Sequence, residues 1–195
     1  SGGIIIVSPA NPYAAKGLLL SAFRDGNPVI FLEQISAYGK KGEVPSEPYT
    51  LPLGEARILR EGEDISIITY GAMMVERTLK AAEILGKDGI SAEVIDLQTI
   101  VPMDREAILY SATKTRRALI VHEAKTKFGV GAEIASMIGN YVSEARRDIK
   151  EMSDFFVSTK VLGAKDGPVT AHPALEALRL PQVEDIVAAA KEMMK

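Results

Sequence analysis

The clearest hydrophobic pattern in the chain covers residues 63–104 and predicts a strand, a helix and a second strand. Residues 65–70 are mostly β-branched or aromatic and end at Gly71, which is typical of a strand buried on both faces. From Ala72 the apolar positions follow a helical period, and residues 90–97 form a second apolar run. Two such strands joined by one helix form a right-handed crossover, which predicts a parallel sheet.

The first 33 residues predict a smaller strand–helix–strand unit. Residues 3–7 form a bare apolar strand, and Asn11 followed by Pro12 is typical of the beginning of a helix. The helix is predicted to end near residues 25–27, and a further strand follows it. Because this unit cannot bury its own apolar faces, we expect it to need a partner sheet that this chain does not supply. We also expect that the chain begins in the middle of a domain.

Residues 34–54 are rich in glycine, proline and charged side chains, and they predict a linker between two domains. After the linker, strands and helices alternate through residues 55–195. Beyond the central unit we predict a short strand at 56–59, helices at 104–113, 132–146 and 183–194, and strands at 118–121 and 155–162. Alternation of this kind predicts an α/β fold whose mostly parallel sheet is covered on both faces.

The composition is that of an ordinary globular protein, with 47% hydrophobic and 25% charged residues among 195. The net charge of −3 favours neither nucleic acid nor an anionic membrane as a partner. No apolar run approaches the roughly 20 residues of a membrane span. The absence of cysteine excludes disulfides and thiolate metal sites. We therefore expect no nucleic-acid or membrane partner, and the absence of cysteine suits a reducing compartment.

Two histidines are the first candidates for chemistry. His122 and Glu123 follow the strand predicted at 118–121, on the side of an open α/β sheet where ligands bind. Both an acid–base role and a structural, hydrogen-bonded histidine fit this position. His172 lies in a loop beside Pro173. Two histidines so far apart in sequence, without a suitably spaced partner, do not indicate zinc.

The remaining candidates also have structural explanations. Gly129 and Gly131 at a predicted helix start could cradle an anion, or could allow close helix–strand packing. Glu133 lies near the same sheet edge as Glu123, but the spacing does not pair them as an acid and a base. Met194 and its neighbour suit a packing face. The residues alone therefore predict no catalytic and no cofactor-binding site in this chain.

Six segments, in register over nearly the whole chain, resemble the beta subunit of the thiamine diphosphate-dependent dehydrogenase component of 2-oxo acid dehydrogenase complexes. That family includes the pyruvate, branched-chain 2-oxo acid and acetoin dehydrogenases. The segments are NPYAAKGLLLSAFRDGNPVIFLE, GEVPSEPYTLPLG, AEVIDLQTIVPMD, IVHEA, GVGAEIAS and LPQVEDI. The resemblance implies a three-layer α/β/α fold like the transketolase C-terminal domain for residues 55–195. Residues 1–33 would be the end of a truncated pyrimidine-binding domain.

The resemblance also implies an activity and its partners. The family oxidatively decarboxylates a 2-oxo acid and transfers the acyl group to lipoyl groups, using thiamine diphosphate and Mg. Its activating glutamate and its active-site histidine precede the part that this chain matches, so we expect the chain alone to be inactive. The implied partners are an alpha subunit, a second beta subunit in a homodimer, and the subunit-binding domain of the acyltransferase. The implied location is cytoplasmic, or the mitochondrial matrix in a eukaryote.

Two functional features of the family map onto residues of this chain. A potassium ion would be held by the Ala22 carbonyl, Asp25 and Asn27, an oxygen set that suits a hard cation. The other ligands would lie upstream, so we expect half of a potassium site. The acyltransferase domain would present arginines to Asp166 and to the terminal carboxylate of Lys195, provided that the fold brings these two groups together.

The chain departs from the family pattern at several positions. The family commonly has arginine at the position of Gln98, threonine and glycine at Lys127 and Phe128, and a proline-rich loop at residues 168–171. Two further interpretations therefore stay open. One is a free-standing, non-catalytic α/β interaction domain. The other is the C-terminal domain of a transketolase or of a ferredoxin-type 2-oxo acid oxidoreductase.

Overall fold

The structure is a computed structural model that describes residues 3–148, 154–169 and 172–195. Its elements are β1 (Ile5–Val7), α1 (Pro12–Asp25), β2 (Val29–Phe31), a 3-10 helix (Ile35–Ala37), β3 (Arg57–Arg60), β4 (Ile65–Thr69), α2 (Ala72–Lys87), β5 (Ala92–Asp96), β6 (Thr99–Val101), α3 (Arg105–Thr115), β7 (Arg117–Lys125), α4 (Val130–Asp148), β8 (Ser158–Ala164), α5 (Pro173–Arg179) and α6 (Val183–Met193). The strands form two sheets.

The main sheet has the strand order β3-β5-β4-β7-β8. β5, β4, β7 and β8 are parallel, and only the edge strand β3 is antiparallel. Helices α2 and α6 cover one face of this sheet, and helices α3 and α4 cover the other. The predicted three-layer α/β/α arrangement with a mostly parallel sheet is confirmed.

The alternation along β4 explains how the central strand supplies two cores. Ile65 and Ile67 point to the face of α2 and α6, whereas Ile68 points to the face of α3 and α4. All five residues of β4 and all five of β5 are buried. The mainly apolar runs in the sequence therefore mark strands that are covered on both sides, and their few polar residues, such as Glu93 and Asp96, are buried with them.

The small sheet has the order β2-β1-β6, with β1 parallel to β2 and antiparallel to β6. On one face of this sheet, Val7, Val29 and Phe31 pack against Leu18 of α1. The sequence did not indicate β6, because Thr99–Val101 reads as the tail of the preceding apolar run. The expectation that residues 1–33 lack any sheet partner within the chain is thus wrong for one edge, where β6 adds a strand.

The segment predicted as a linker, residues 34–54, packs on α1. The ring of Tyr49 stacks on the ring of Tyr13 at a centroid distance of 4.6 Å, and its hydroxyl donates to the Tyr13 carbonyl oxygen at 2.8 Å. Leu51 donates its backbone N–H to the Gly17 carbonyl oxygen at 3.2 Å. Gly17 allows this close approach, since an added Cβ would lie 2.6 Å from the Leu51 Cγ. The crossing segment is therefore an ordered cover for the small unit.

The helix starts follow the capping chemistry of the sequence. The side chains of Asn11 and Asp104 accept the backbone N–H groups of Ala14 at 2.8 Å and of Ala107 at 3.0 Å, respectively. Each cap satisfies an amide that has no partner within its own helix.

Two strand boundaries differ from the prediction. β7 extends past the predicted end at Val121 to Lys125, so that His122 and Glu123 lie inside the strand. β8 begins at Ser158 rather than at residue 155. The extension of β7 matters for function, because it changes where the candidate histidine sits.

Candidate functional site

His122 is fully buried where β7, β8 and the start of α4 meet. Its Nδ1 lies 2.9 Å from the Ala124 carbonyl oxygen. Because a carbonyl can only accept, Nδ1 carries the proton and donates it, which leaves Nε2 as an acceptor. Within the described residues, Nε2 has no hydrogen-bond partner. Burial lowers the pKa of the imidazole, against the raising effect of the Ala124 carbonyl, so the ring is neutral near pH 7.

Three glycines surround the His122 ring at van der Waals contact. A Cβ added at Gly131 would lie 2.3 Å from Nε2, and one at Gly163 or Gly129 would lie 2.9 or 3.0 Å from Cε1. On the other side, the Tyr70 ring stacks at a centroid distance of 6.3 Å. The glycines thus make room for an imidazole and leave none for a bound anion. This enclosure favours a structural role for His122 over an acid–base role.

The ligand-binding position expected of an open α/β sheet lies between the carboxyl ends of β4 and β7. There the chain turns from one side of the sheet to the other, since α2 leads from β4 to β5 and α3 leads back to β7. Gln34 fills this crevice. Its side-chain oxygen accepts the Met73 N–H at the start of α2, and its side-chain N–H donates to Glu123 Oε2, each at 2.7 Å.

The hydrogen bonds of Gln34 engage the polar groups at this edge of the sheet. Gln34 satisfies an N-terminal amide of α2, which a bound anion would otherwise satisfy. It also engages Glu123, the carboxylate that the sequence placed nearest to His122. Burial raises the pKa of the nearby Tyr70 to about 12, with a further contribution from Glu123, so the phenol stays protonated. Among the described residues, this arrangement supplies neither a nucleophile nor a free base.

Sequence reasoning missed Gln34 because it lies in the segment that was predicted to be a linker. It also missed Asp96, whose carboxyl group is almost fully buried at the end of β5. Burial raises the pKa of Asp96 to about 7, although the Gln98 N–H at 3.2 Å and the charge of Arg57 lower it. The signal for Asp96 was the position of an acidic residue within a period-two strand pattern, at a place where the side chain would be buried.

His172, the second histidine, caps α5. Its Nδ1 accepts the Ala174 N–H at 3.2 Å, and the side chain is exposed. Met193 and Met194 pack against the core under α2 and α6, as expected. These residues therefore have structural roles.

The predicted docking residues lie at opposite ends of the main sheet. Asp166 follows β8, whose last residue pairs with Lys125 at the end of β7. Lys195 follows α6, and the Met193 carbonyl oxygen accepts a hydrogen bond of 2.9 Å from Arg117, the first residue of β7. The fold thus does not bring Asp166 and Lys195 together within one chain, because α6 runs antiparallel to the strands.

Asp166 has a charged partner in the loop that follows β7. Lys127 donates to Asp166 Oδ2 at 2.9 Å. The hydrogen bond and the positive charge of Lys127 lower the pKa of Asp166. Both side chains are more than half exposed. Of the divergent loop at residues 168–171, Thr170 and Ala171 lie outside the described residues.

The predicted potassium ligands lie together at the end of α1. Gly26 adopts a left-handed backbone conformation with φ 85°, which turns Asn27 back toward Asp25. Asn27 donates from its backbone and side-chain nitrogens to Asp25 Oδ1, at 3.2 and 2.6 Å. One carboxylate oxygen is therefore already engaged. Ala22 is in the last turn, where helix carbonyl groups carry partial negative charge that suits a cation.

Metal clusters and membrane-spanning helices are both absent from the described residues. No group of three or more histidine, cysteine, aspartate or glutamate side chains there is arranged to hold a metal ion. No helix in the described part of the chain is both long and apolar enough to cross a membrane.

Comparison with known families identifies the larger unit. The family model described as "Transketolase, C-terminal domain" matches residues 54–186. The chain belongs to the transketolase C-terminal domain family. The match covers the whole main sheet together with helices α2, α3 and α4.

Curated relatives match the chain over its whole length. The chain is 40% identical over 193 residues to the acetoin:2,6-dichlorophenolindophenol oxidoreductase subunit beta of Cupriavidus necator. It is 42% identical over 196 residues to the pyruvate dehydrogenase E1 component subunit beta of Bacillus subtilis. These alignments cover 99% of this chain but 54% and 56% of the two relatives. The chain therefore spans about half the length of the curated relatives it matches.

Solved structures support the fold alone. A split-gene transketolase, described as an inactive beta4 tetramer, aligns with a TM-score of 0.78 at 23% identity, covering 98% of this chain and 58% of that one. A transketolase mutant from Pichia stipitis aligns with a TM-score of 0.60 at 17% identity, covering 98% and 25%. Both alignments extend over the small unit as well as the main sheet of this chain.

Proposed function

We propose that this chain is the C-terminal part of the beta subunit of a 2-oxo acid dehydrogenase. The observation that carries the proposal is the identity of 40 to 42% to acetoin and pyruvate enzyme beta subunits over 99% of the chain. In the complete enzyme the reaction is the oxidative decarboxylation of a 2-oxo acid, followed by acyl transfer to lipoyl groups. This part contributes structure and contacts, and we expect it to be inactive alone.

The described residues do not fit thiamine diphosphate or its Mg ion. The crevice between β4 and β7 is filled by Gln34, and the nearby imidazole of His122 is enclosed by glycines. No acidic cluster is available for a divalent ion among the described residues. The cofactor therefore belongs to other parts of the holoenzyme, and potassium at Ala22, Asp25 and Asn27 would need ligands from those parts as well.

Partner contacts are the function that this part can perform. The proposed partners are the alpha subunit, a second beta subunit and the subunit-binding domain of the acyltransferase. The outer face of the small sheet presents Ile30 and Leu32, which are 47% and 42% exposed, and is suited to such contacts. For the acyltransferase domain, Asp166 is the proposed docking carboxylate. Lys195 could complete that surface only from a second copy, because it lies at the other end of the sheet.

Cofactor titration tests the inactive-part proposal directly. Calorimetry of the purified chain with thiamine diphosphate and Mg should show no saturable heat, because Gln34 fills the crevice at the carboxyl ends of β4 and β7. The chain should also fail to decarboxylate 2-oxo acids. Micromolar affinity for the cofactor would contradict the proposal.

Docking is tested with a charge variant and a matched control. Asp166→Ala should weaken binding of the cognate subunit-binding domain at least about tenfold, or roughly 1.4 kcal/mol. The control is Asp148→Ala, which removes another exposed aspartate that is paired with an adjacent arginine. Its affinity should be unchanged, and the melting temperature should change little in either variant. Equal affinities for both variants would place the docking surface elsewhere.

A further inference from the structure

Residues 33–41, which we call the strap, cross over the first half of α2 and enclose a cavity of about 440 Å³. The other walls are the start of α1, Leu59 of β3 and the exposed side of α2. The cavity therefore lies between the small unit and the main sheet. Interfaces between units are common positions for small-molecule sites, and this volume is within their usual range of roughly 300–1,000 Å³.

The interior of the cavity is mainly apolar. Ala15, Leu59, Val75 and Leu79 line it, together with Ala37 of the strap. An apolar ligand body would gain burial against these side chains without leaving a polar group unsatisfied.

Most polar groups around the cavity are already paired. Tyr38 donates to Glu33 at 2.9 Å, and Glu76 accepts from both Lys40 and Lys80. Lys41 is different, since it lines the cavity and forms no hydrogen bond or ion pair with the described residues. Within the part of the chain that the structure describes, Lys41 is thus the charged lining residue without a partner. Glu33 keeps its negative charge, because its hydrogen bond comes from the neutral Tyr38 hydroxyl.

The strap is attached by polar contacts at both ends. Gln34 bridges Met73 and Glu123 at one end, and Lys40 pairs with Glu76 at the other. The 3-10 helix between these contacts has no buried residue, and Ile35 is 83% exposed. Exposed ion pairs contribute little to stability, so the strap can open at small cost.

We propose that this cavity is a binding site for a small molecule with an apolar body and one anionic group, and that the strap is its lid. The apolar body contacts Leu59, Val75 and Leu79, and the anionic group pairs with Lys41. A ligand with several phosphates would need more than one free cation and would be repelled by the carboxylate of Glu33. The site is separate from the proposed dehydrogenase reaction and does not depend on it.

Octanoate is the probe for the test, since it combines an eight-carbon body with one carboxylate. Titration into the 195-residue chain with labelled isoleucine, leucine and valine methyl groups should give saturable NMR shifts at Leu59, Val75 and Leu79. The expected Kd is about 1 mM or below. Acetate should give no such shifts. Octan-1-ol should bind several-fold more weakly than octanoate. Octylamine that binds as tightly as octanoate would overturn the preference for an anionic group, because it would pair with Glu33 instead.

Variants separate the two halves of the site. Ala15→Leu fills the cavity from α1 and should weaken octanoate binding about tenfold or more, whereas Ala132→Leu on α4, an exposed position on the far side of the main sheet, should not. Lys41→Ala should weaken octanoate binding about three- to fivefold and leave octan-1-ol unchanged. The matching control, Lys87→Ala, should bind both ligands as the parent does.

The lid is tested by the rate of release. Gln34→Ala should raise the octanoate dissociation rate several-fold in NMR line-shape analysis, because one end of the strap loses both of its contacts. An unchanged rate would overturn the lid.

The methyl shifts of the parent chain test the existence of the site even if a variant does not fold. Methyl shifts spread over other surfaces, equal binding by Ala15→Leu and the parent, or no saturation at all would overturn the site. If no saturation is observed, the remaining candidate for the cavity would be a polypeptide segment of a partner. None of these results bears on cofactor titration or docking, so failure here and failure of the proposed function are distinguishable.

Discussion

The two sheets of this protein contain similar apolar strands but differ in how fully those strands are covered. In the main sheet every residue of β4 and β5 is buried between two helical layers. In β1 and β2 only Val7 is buried, and Ile30 remains 47% exposed on the face opposite α1. An apolar strand composition therefore indicates that both faces of the strand need to be buried. Whether they are buried within the chain depends on the neighbouring elements.

The largest expected difference between the sheets is the cost of truncating an isoleucine. Ile67→Ala in β4 should lower the free energy of unfolding by about 2–5 kcal/mol, since the side chain is fully buried in a packed core. Ile30→Ala in β2 should lower it by less than about 1 kcal/mol. Urea denaturation followed by circular dichroism measures both values.

Equal losses in the two variants would contradict the contrast between the sheets. In that case the measurement should be repeated over a range of protein concentrations. A cost for Ile30→Ala that grows with concentration would show that a second copy covers the outer face in solution.

The next expected effect lies at the junction of the sheets. Asp96 ends β5, and burial raises its pKa from 3.8 to about 7. The folded chain therefore keeps a proton that the unfolded chain releases, and this contribution to stability is fully present below about pH 4. As the pH rises from about 4 to 7, the free energy of unfolding should fall by up to about 1.4 kcal/mol per pH unit.

Asp96→Asn should remove that pH dependence, because the amide oxygen can still accept the Gln98 N–H without a charge. Urea denaturation between about pH 4 and pH 8 compares the two slopes. An Asp96→Asn variant with the slope of the parent would show that another group is responsible.

The smallest expected effect compares glycines in the two units. Gly131→Ala should cost about 1–3 kcal/mol, because its Cβ would lie 2.3 Å from the enclosed His122 ring. Gly17→Ala should cost less, because it would meet the side chains of Leu51 and Tyr49, which can move. Gly139→Ala, also in α4, is the control, since no atom lies within 4 Å of the added group.

Thermal denaturation followed by circular dichroism measures these three variants. Gly139→Ala should stabilise the protein by up to about 1 kcal/mol through helix propensity. A Gly131→Ala variant as stable as the Gly139→Ala variant would contradict the close enclosure of His122.

Much of the main unit was predictable because its signals are local. Long apolar runs indicated β4 and β5, and Asp104 indicated the start of α3. β6 was missed because three residues carry no periodicity of their own. Its assignment depends on pairing with β1, which is distant in sequence.

The site was less predictable, since its residues meet only in the folded chain. The sequence placed His122 just after a strand that ends at Val121, whereas the structure places it inside β7. Gln34 gave no signal, because a glutamine in a polar segment is ordinary. Whether Asp166 and Lys195 lie close together depends on the direction in which α6 runs along the sheet. The pattern of apolar residues predicts the helix but not its direction.

The insertion of β6 between β5 and α3 has a consequence for a chain that is cut in the segment between the two units. β6 belongs to the small sheet in space but to the larger unit along the chain. A protease that cleaves within residues 42–48 would therefore separate the units covalently while leaving β1 hydrogen-bonded to β6. The two fragments would remain associated and would copurify until a denaturant separated them.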